Sequence, residues 1–238
     1  MRFPKSIRSS VSIASVALIA AVLAGCHSGN GSSGSASDTT SLPPASTLLS
    51  QAETAMGAVQ SVHFTLNVDG TIAALPVKSA NGVLTHAGDA KGTATAVEFG
   101  TTLEIAFVIV GDSFYFKGPT GGYQKLPLAT ATTFYDPSAI LDPNRGIPKV
   151  LSDSQNAKTV GSTTINGATA YEVSLTPDPD AIKSLLPGVG SGVTASIWID
   201  KASGHVVKGV FNVPNNGKKA VVTITLDSYD QPVSISAP

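Results

Sequence analysis

Cysteine is almost absent from this 238-residue chain, which contains one, Cys26. One thiol cannot form a disulfide within the chain, so the fold is held without internal cross-links. Charged residues make up only 13% of the chain and aromatic residues 6%. The net charge is −1, and the sequence has no clustered basic stretch of the kind that binds nucleic acid. The composition therefore excludes a disulfide scaffold and gives no support to a nucleic-acid partner.

Motifs of common enzymes are absent as well. The chain has no Gly-x-Ser-x-Gly, no His-Glu-x-x-His and no glycine loop followed by Lys-Ser or Lys-Thr. Its histidines lack the spacing of metal ligands; they are His27, His63, His86 and His205. We therefore predict a protein that is not an enzyme, with no catalytic residue, no metal site and no cofactor.

The N-terminal stretch predicts export and lipidation. Three basic residues in the first eight positions precede an apolar run, Val11–Leu23, as in a secretory signal. The run is shorter than the roughly 20 apolar residues that span a membrane. The quartet Leu23-Ala24-Gly25-Cys26 resembles the bacterial lipobox, whose cysteine receives a diacylglyceryl group before cleavage. We predict a signal peptide at 1–25 and lipidation of Cys26; the alternative is an ordinary cleavable signal with an incidental cysteine.

The remainder predicts a tether followed by one domain. Without residues 1–25, twelve Lys and Arg remain against sixteen Asp and Glu. Residues 26–46 are rich in Gly, Ser and Thr, a composition typical of a flexible tether. Residues 47–238 are numerous enough to build a hydrophobic core without disulfide cross-links. We therefore predict a lipidated tether at 26–46 and a folded domain at 47–238.

The hydrophobic period changes near residue 60. Apolar residues recur at spacings of three and four over Thr47–Val59, which predicts an amphipathic helix. Beyond it the period is two, and short turns, including Asn166-Gly167, predict an antiparallel meander. The predicted strands, about eleven, are Ser61–Asp69, Ile72–Val77, Ala80–Thr85, Gly92–Glu98, Leu103–Val110, Ser113–Lys117, Thr159–Ile165, Thr169–Leu175, Val193–Asp200, His205–Val213 and Ala220–Leu226.

Helices are predicted where this alternation breaks. Asp136 and Asp142 each precede a proline, the arrangement of a helix N-cap and first helical position. This indicates helices at Pro137–Leu141 and Pro143–Ser152, and capping explains both aspartates better than catalysis does. A further helix is predicted at Asp178–Leu186. The fold class is α+β, and the helices favour a half-open sheet covered on one face over a closed barrel.

Several stretches together resemble the mycobacterial LppX/LprA/LprF/LprG family of cell-envelope lipoproteins. Besides the lipobox they are Ser61-Val62-His63-Phe64, Phe134-Tyr135-Asp136-Pro137, Ile140-Leu141-Asp142-Pro143, Thr164-Ile165-Asn166-Gly167 and Ile197-Trp198-Ile199. The resemblance implies a strongly curved antiparallel half-barrel, with helices over its concave side and an apolar cavity between them. It also implies binding of di- or triacylated lipids or glycolipids and their transport across the periplasm toward the outer envelope. The protein would be a monomer anchored to the cell membrane, facing the periplasm or cell surface, with an efflux-type transporter as a partner.

Small residues in the predicted strands fit either a cavity or close packing of helices on the sheet. They are Ala73, Ala74, Ala94, Ala96, Ala106, Ala195 and Gly209. By alternation we assign the cavity wall to Phe64, Leu66, Val68, Leu103, Ile105, Phe107 and Ile197, with Ala94 and Ala96 where bulk would block the space. Which face points inward stays open, because a shift of one residue inverts it. Trp198, opposite in phase to Ile197, is expected under a helix or, less so, in the cavity wall.

Two functions follow from these observations. The first is a lipid-binding and shuttling lipoprotein. The second is a surface-exposed structural or interaction lipoprotein whose core is filled.

Overall fold

The computed structural model describes residues 41–72, 75–98, 100–131, 137–215 and 218–238. They belong to one compact unit, Ser41–Pro238. Cys26, His27, the predicted signal peptide and residues 26–40 of the predicted tether lie outside the described residues, as do Ala73, Ala74 and Asp136.

The described chain forms one large sheet with helices at its connections. The strands are β1 (Ser61–Asp69), β2 (Val77–Thr85), β3 (Ala90–Glu98), β4 (Thr101–Val110), β5 (Ser113–Lys117), β6 (Gln124–Pro127), β7 (Gln155–Ile165), β8 (Ala168–Thr176), β9 (Thr194–Asp200), β10 (Val206–Asn215) and β11 (Lys218–Asp227). The helices are α1 (Ala45–Ala58), α2 (Leu128–Ala131), α3 (Ile147–Ser152) and α4 (Pro179–Leu185), with a 3₁₀ turn at Pro137–Ile140.

All eleven strands belong to a single antiparallel sheet in the order β6-β5-β4-β3-β2-β1-β11-β10-β9-β8-β7. Most neighbours are consecutive in the chain, as the short turns predict. Asn166 and Gly167 have positive φ angles of 50° and 83° and connect β7 to β8 as the predicted hairpin. The exception to sequential pairing is the first strand, β1, which pairs with the last, β11. This one long-range pairing joins the two halves of the sheet.

One face of the sheet and one stripe of α1 form the core. In β1, Phe64, Leu66 and Val68 are buried while Asn67 is exposed, because successive side chains point to opposite faces. In α1 the buried stripe runs from Ala45 to Met56. Helix α1 packs on α3 and on β7. We call the buried face of the sheet the core face and the opposite side the outer face.

Two strand predictions need correction. The prediction of a strand at Ile72–Val77 is wrong for the residues described there: Leu75 N donates a hydrogen bond to Ile72 O at 3.0 Å in an isolated bridge, and Val77 begins β2. Conversely, β6 was not predicted, because its four residues are all exposed and show no alternation. It is a strand through its pairing with β5.

The helix predictions are correct in place but not in extent. Helix α1 begins at Ala45, so it includes the last two residues of the predicted tether. Asp178 caps α4 by accepting hydrogen bonds from Asp180 N and Ala181 N. The predicted helix Pro143–Ser152 begins only at Ile147, because Asp142 organises a turn instead of capping a helix.

That turn is tightly closed. Asp142 Oδ1 accepts a hydrogen bond from Asn144 N at 2.8 Å, and Gly146 N donates to Asp142 O at 2.7 Å. A methyl group on Gly146 would lie 2.1 Å from Ala139 O, so this position requires glycine. The turn thereby fixes where α3 starts.

A second close approach joins β2 to β3. Gly82 and Gly92 are cross-strand partners. A Cβ on Gly82 would lie 2.4 Å from Lys91 O, and a Cβ on Gly92 would lie 2.2 Å from Asn81 O. No side chain fits at either position, so the strands meet here backbone to backbone.

Candidate functional site

The register places all nine residues of the predicted cavity wall on the core face. Leu66 is opposite Ala80, Ala80 opposite Ala94, and Ala94 opposite Ile105. The same row continues in the other direction from Leu66 through Ile224 and Gly209 to Ile197. Phe64 and Val68 share the face in β1, Ala96 in β3, and Leu103 and Phe107 in β4, because side chains two residues apart point the same way.

Burial of these nine residues is not uniform. Phe64, Leu66, Val68, Ala94, Phe107 and Ile197 are buried, while Ala96 and Ile105 are half-buried. Along β4 the exposed fraction rises from 1% at Ile109 to 37% at Leu103. Leu126 in β6 is also 37% exposed. The apolar face is therefore closed in its middle and open toward the Leu103 end of β4.

The space beneath α3 is a small apolar cavity of about 10 Å³. Its lining residues are Ile147, Val150, Leu151, Ile197, Val206, Gly209, Phe211, Ile224 and Leu226. Of the nine predicted wall residues, Ile197 alone lines it. A space of this size holds about one water molecule, whereas ligand pockets measure roughly 300–1,000 Å³. Helix α3 therefore packs closely over this part of the core face.

Gly209 is a small lining residue whose surroundings leave little room for a side chain. A Cβ there would lie 3.1 Å from the Phe211 ring and 3.4 Å from Ile197 Cδ1. The sequence pattern did not assign the cavity-lining residues of β10 and β11, and it singled out Gly209 only as a small residue. A signal was available for Phe211, which alternation along β10 places on the same face as Gly209, but not for Val206, which reaches that face only through the register shift between Val206 and Lys208.

Helix α3 is short and packs mainly on α1. Its apolar residues Ile147, Val150 and Leu151 point into the core. Arg145 Nε bonds to Asp142 Oδ2 at 2.7 Å, and Lys149 Nζ lies 2.5 Å from Asp153 Oδ2. Six residues give less than two turns, so the helix depends on its packing rather than on its own propensity.

The carboxyl group of Asp142 anchors the turn before α3. Partial burial acts to raise its pKa, but hydrogen bonds from the Arg145 side chain and from Asn144 N lower the pKa below its usual value. The group is thus ionised at neutral pH. Below its pKa the anchoring bonds weaken, because the protonated carboxyl is a poorer acceptor.

An open polar groove of about 460 Å³ lies beside the cavity, between α1 and the turn joining β9 to β10. Its lining residues are Ser50, Gln51, Thr54, Ala55, Lys201, Ala202, Ser203 and Gly204. Asp200 orders this turn, since its Oδ1 accepts hydrogen bonds from Ala202 N and Ser203 N. Gly204, which lines the groove, is two residues before Val206 in the sequence, and Val206 lines the apolar cavity. The N–H of Val206 donates a hydrogen bond to Met56 Sδ at 3.4 Å.

Trp198 is on the outer face, half-buried, which corrects both expectations for it. It is opposite Lys208 in β10 and Glu172 in β8. The Lys208 ammonium lies 4.8 Å from the centroid of the Trp198 ring, a cation–π contact. The ring therefore neither packs under a helix nor lines the cavity.

No group of three or more His, Cys, Asp or Glu among the described residues is arranged to hold a metal ion. His63 lies on the outer face, where Nδ1 is 3.1 Å from Asp227 Oδ1 and Nε2 is 3.3 Å from Asn81 Oδ1. The helices of the described ranges all fall short of the length and hydropathy of a membrane span.

These features define a class: an α+β protein that covers the apolar face of one large antiparallel sheet with short helices. Within that class the chain belongs to the LppX/LprAFG lipoprotein family, whose model matches residues 44–235. The resemblance found in the sequence is thereby confirmed.

Named relatives agree with this assignment. The lipoarabinomannan carrier protein LprG of Mycobacterium leprae is 34% identical over 223 residues, which cover 92% of this chain and 90% of that protein. The LprG of Mycolicibacterium smegmatis is 31% identical over 227 residues, covering 94% and 93% of the two chains. The prediction that the chain is not an enzyme is confirmed by its membership in this lipoprotein family, whose matching relatives are named carrier proteins.

Solved structures confirm the fold. The crystal structure of LprF from Mycobacterium bovis superimposes with a TM-score of 0.72 at 27% identity, covering 82% of this chain and 96% of that one. Lipoprotein LppX of Mycobacterium tuberculosis superimposes with a TM-score of 0.62 at 21% identity, covering 80% and 98%. The predicted α+β class is therefore correct.

Proposed function

We propose that this chain is a lipid-anchored envelope protein that binds di- or triacylated lipids or glycolipids on its core face. It carries them across the periplasm toward the outer envelope. The observation that carries the proposal is the continuous apolar face, which runs from the cavity under α3 to the exposed Leu103. The name of its relatives, lipoarabinomannan carrier protein, supports a lipoglycan as the cargo.

Loading requires α3 to move, because the cavity of about 10 Å³ beneath it is too small for an acyl chain. Lifting α3 uncovers Ile147, Val150 and Leu151, each of which contributes roughly 1.5–3 kcal/mol when buried. An acyl chain returns about 0.8 kcal/mol for each methylene it buries. About ten methylenes therefore offset the displacement, and a second chain makes loading favourable.

The polar groove beside α1 is suited to the headgroup. It offers hydroxyl, amide and ammonium groups from Ser50, Gln51 and Lys201. Gly204 in the groove and Val206 in the cavity wall belong to the same short stretch of chain. A lipid with its acyl chains under α3 can thus place its polar end in the groove without leaving the protein.

The anchor completes the proposal. Cleavage after residue 25 and acylation of Cys26 hold the protein on the cell membrane, facing the periplasm or cell surface. About twenty tether residues reach on the order of 25 Å, so the domain that begins with α1 stands clear of the headgroups. It acts as a monomer and receives or delivers its lipid at an efflux-type transporter.

A second candidate function has its own support. The cavity of about 10 Å³ is what a filled core leaves, and a filled core fits a surface lipoprotein that interacts with other envelope components. The two functions differ in whether lipid copurifies with the protein.

Mass spectrometry of organic extracts from the protein purified from its native host tests the proposal. We expect stoichiometric di- or triacylated lipid in the wild type. Ala96→Trp fills the half-buried core face next to Leu103 and should remove the lipid while the protein stays folded.

The matched control is Ala106→Trp, which makes the same change on the outer face of β4, opposite Thr93 and Lys117. It should leave lipid loading unchanged. A folded, lipid-free wild type would support the surface-interaction function instead. Equal loading in Ala96→Trp and Ala106→Trp would show that the core face is not the lipid site.

A further inference from the structure

Polar contacts of one aspartate fix the N-terminal end of α3. Asp142 Oδ1 accepts a hydrogen bond from Asn144 N at 2.8 Å, and Asp142 Oδ2 accepts one from Arg145 Nε at 2.7 Å. The Asp142 carbonyl oxygen accepts two more, from Arg145 N at 3.3 Å and from Gly146 N at 2.7 Å. Asp142 therefore holds the residues that lead into α3.

The segment before this turn is fixed in the core, whereas the turn reaches solvent. Ala139, Ile140 and Leu141 are buried. The side chains of Asp142 and Arg145 are partly exposed. Breaking the side-chain contacts of Asp142 therefore frees the start of α3 without uncovering the residues that precede it.

The other end of α3 is built differently. Asp153 N donates to Lys149 O at 3.1 Å, and the two side chains form an ion pair, so these contacts lie within the helix and move with it. Strand β7 then begins irregularly: Asn156 has a φ of 55°, and the pairing with β8 shifts register between Gln155 and Lys158. A strand bends at such an irregularity, so α3 can pivot at this end.

No contact within α3 replaces the Asp142 turn. The helix has six residues, and Gly146 at its N-cap position supplies no side-chain hydrogen bond. A helix this short is not stable alone, so its position depends on its packing and on the turn. When lipid enters, acyl chains can replace the apolar contacts of α3, but they offer no replacement for the bonds to the Asp142 carboxylate.

We propose that Asp142 and Arg145 form a latch that holds α3 over the cavity and opens when lipid enters. They are positioning residues, because they act on the lipid through α3. The latch is closed in the lipid-free protein and broken in the loaded one, so it opposes loading. Removing it raises lipid affinity and the rate of uptake while it destabilises the lipid-free protein. The latch rests on the proposed function, since it controls access to the lipid site.

Asp142→Asn tests the latch, since it keeps the size of the side chain and removes the charge. Lipid-free protein is mixed with vesicles of phosphatidylcholine that carries one pyrene-labelled acyl chain, and the loss of excimer emission reports uptake. The headgroup of this probe has no net charge, so the substitution leaves the encounter with the vesicle unchanged. We expect uptake about tenfold faster and affinity about tenfold higher, the effect of one hydrogen bond to a charged group. Arg145→Gln should raise both about threefold, because an exposed ion pair contributes less.

Lys149 and Asp153 provide the matched control. They form another ion pair of α3, with side-chain exposures of 41% and 34% against 48% for Arg145 and 25% for Asp142. Lys149→Gln and Asp153→Asn should lower Tm slightly and leave lipid affinity unchanged, because their contact persists when α3 moves. A merely structural role of Asp142 would give this same pattern.

Amide hydrogen exchange tests the latch without lipid. Val150 N donates to Gly146 O at 3.1 Å within α3, and this bond is lost when the short helix is released. In lipid-free Asp142→Asn the Val150 amide should exchange about tenfold faster than in the wild type.

The outcomes separate the latch from the function on which it rests. If the wild type takes up no probe, the proposed function fails and the latch with it. If the wild type takes up probe but Asp142→Asn gains no more affinity than Asp153→Asn, or if Val150 exchanges at the wild-type rate, the latch alone is overturned. Thermal unfolding shows which variants are folded, and Arg145→Gln decides the matter if Asp142→Asn is not.

Discussion

Truncating Leu151 tests whether acyl chains enter the space beneath α3. Leu151 is 2% exposed and lines the cavity together with Ile197 and Gly209. Leu151→Ala removes a buried side chain and should cost about 2–5 kcal/mol in the lipid-free protein. For a domain of this size each kcal/mol shifts the melting temperature by about 2–4 °C. We therefore expect Tm to fall by about 10 °C.

Lipid should recover part of that loss. The void left by the leucine lies where an acyl chain passes, and each methylene that fills it returns about 0.8 kcal/mol. Two or three methylenes fit in place of the leucine side chain, so saturating lipid should narrow the gap to the wild type by about 2 kcal/mol, or roughly 4–8 °C. Scanning calorimetry with and without micellar dipalmitoylphosphatidylinositol measures both gaps.

Leu84→Ala is the matched control. Leu84 is 0% exposed and belongs to the same core, but it lies in β2 and does not line the cavity. Leu84→Ala should lower Tm by a similar amount, and adding lipid should leave its difference in Tm from the wild type unchanged. If lipid narrows the two gaps equally, or neither of them, acyl chains do not occupy the space beneath α3.

Two further predictions concern stability. Gly82→Ala places a methyl group 2.4 Å from Lys91 O and should lower the free energy of unfolding, measured in urea, by about 3 kcal/mol or more. Gly161→Ala, where an added methyl group has no atom within 4 Å, should change the free energy of unfolding little. Equal effects of the two substitutions would contradict the close approach of β2 and β3. Tyr229→Phe removes the hydroxyl that donates to Val206 O, which should cost about 1 kcal/mol at neutral pH. Burial, with Asp227 and Asp230 nearby, raises the Tyr229 pKa, so the wild type loses stability as pH rises above about 10, the pKa in the unfolded chain. Tyr229→Phe should lack this loss, so the difference in the free energy of unfolding between wild type and variant should shrink at alkaline pH. A difference independent of pH would refute the argument.

Local patterns predicted the parts of the fold that depend on near neighbours. The strict alternation of Phe64, Leu66 and Val68 with polar residues identified the core face of β1, since period two is a property of the strand itself. Spacings of three and four identified α1 in the same way. The nine residues predicted for the cavity wall share the core face, because side chains two residues apart along a strand point the same way.

Other features depend on contacts between distant segments. The strand β6 has four exposed residues and exists through its pairing with β5. The sequence pattern of Ile72–Val77 predicted a strand, yet Leu75 N donates a hydrogen bond to Ile72 O, three residues earlier. The placement of Trp198 could not be read from its type, because a large aromatic side chain serves a core or a surface equally well.

The sequence by itself indicated the family, through the resemblance of several short stretches, and it predicted the α+β class and which side chains share a face of each strand, because period is carried by neighbouring residues. The tertiary structure alone decided that β1 pairs with β11 and that α3 fills the space over β9, β10 and β11. These contacts join residues far apart in the chain, and their free energy depends on the shapes that meet there, which no local period records.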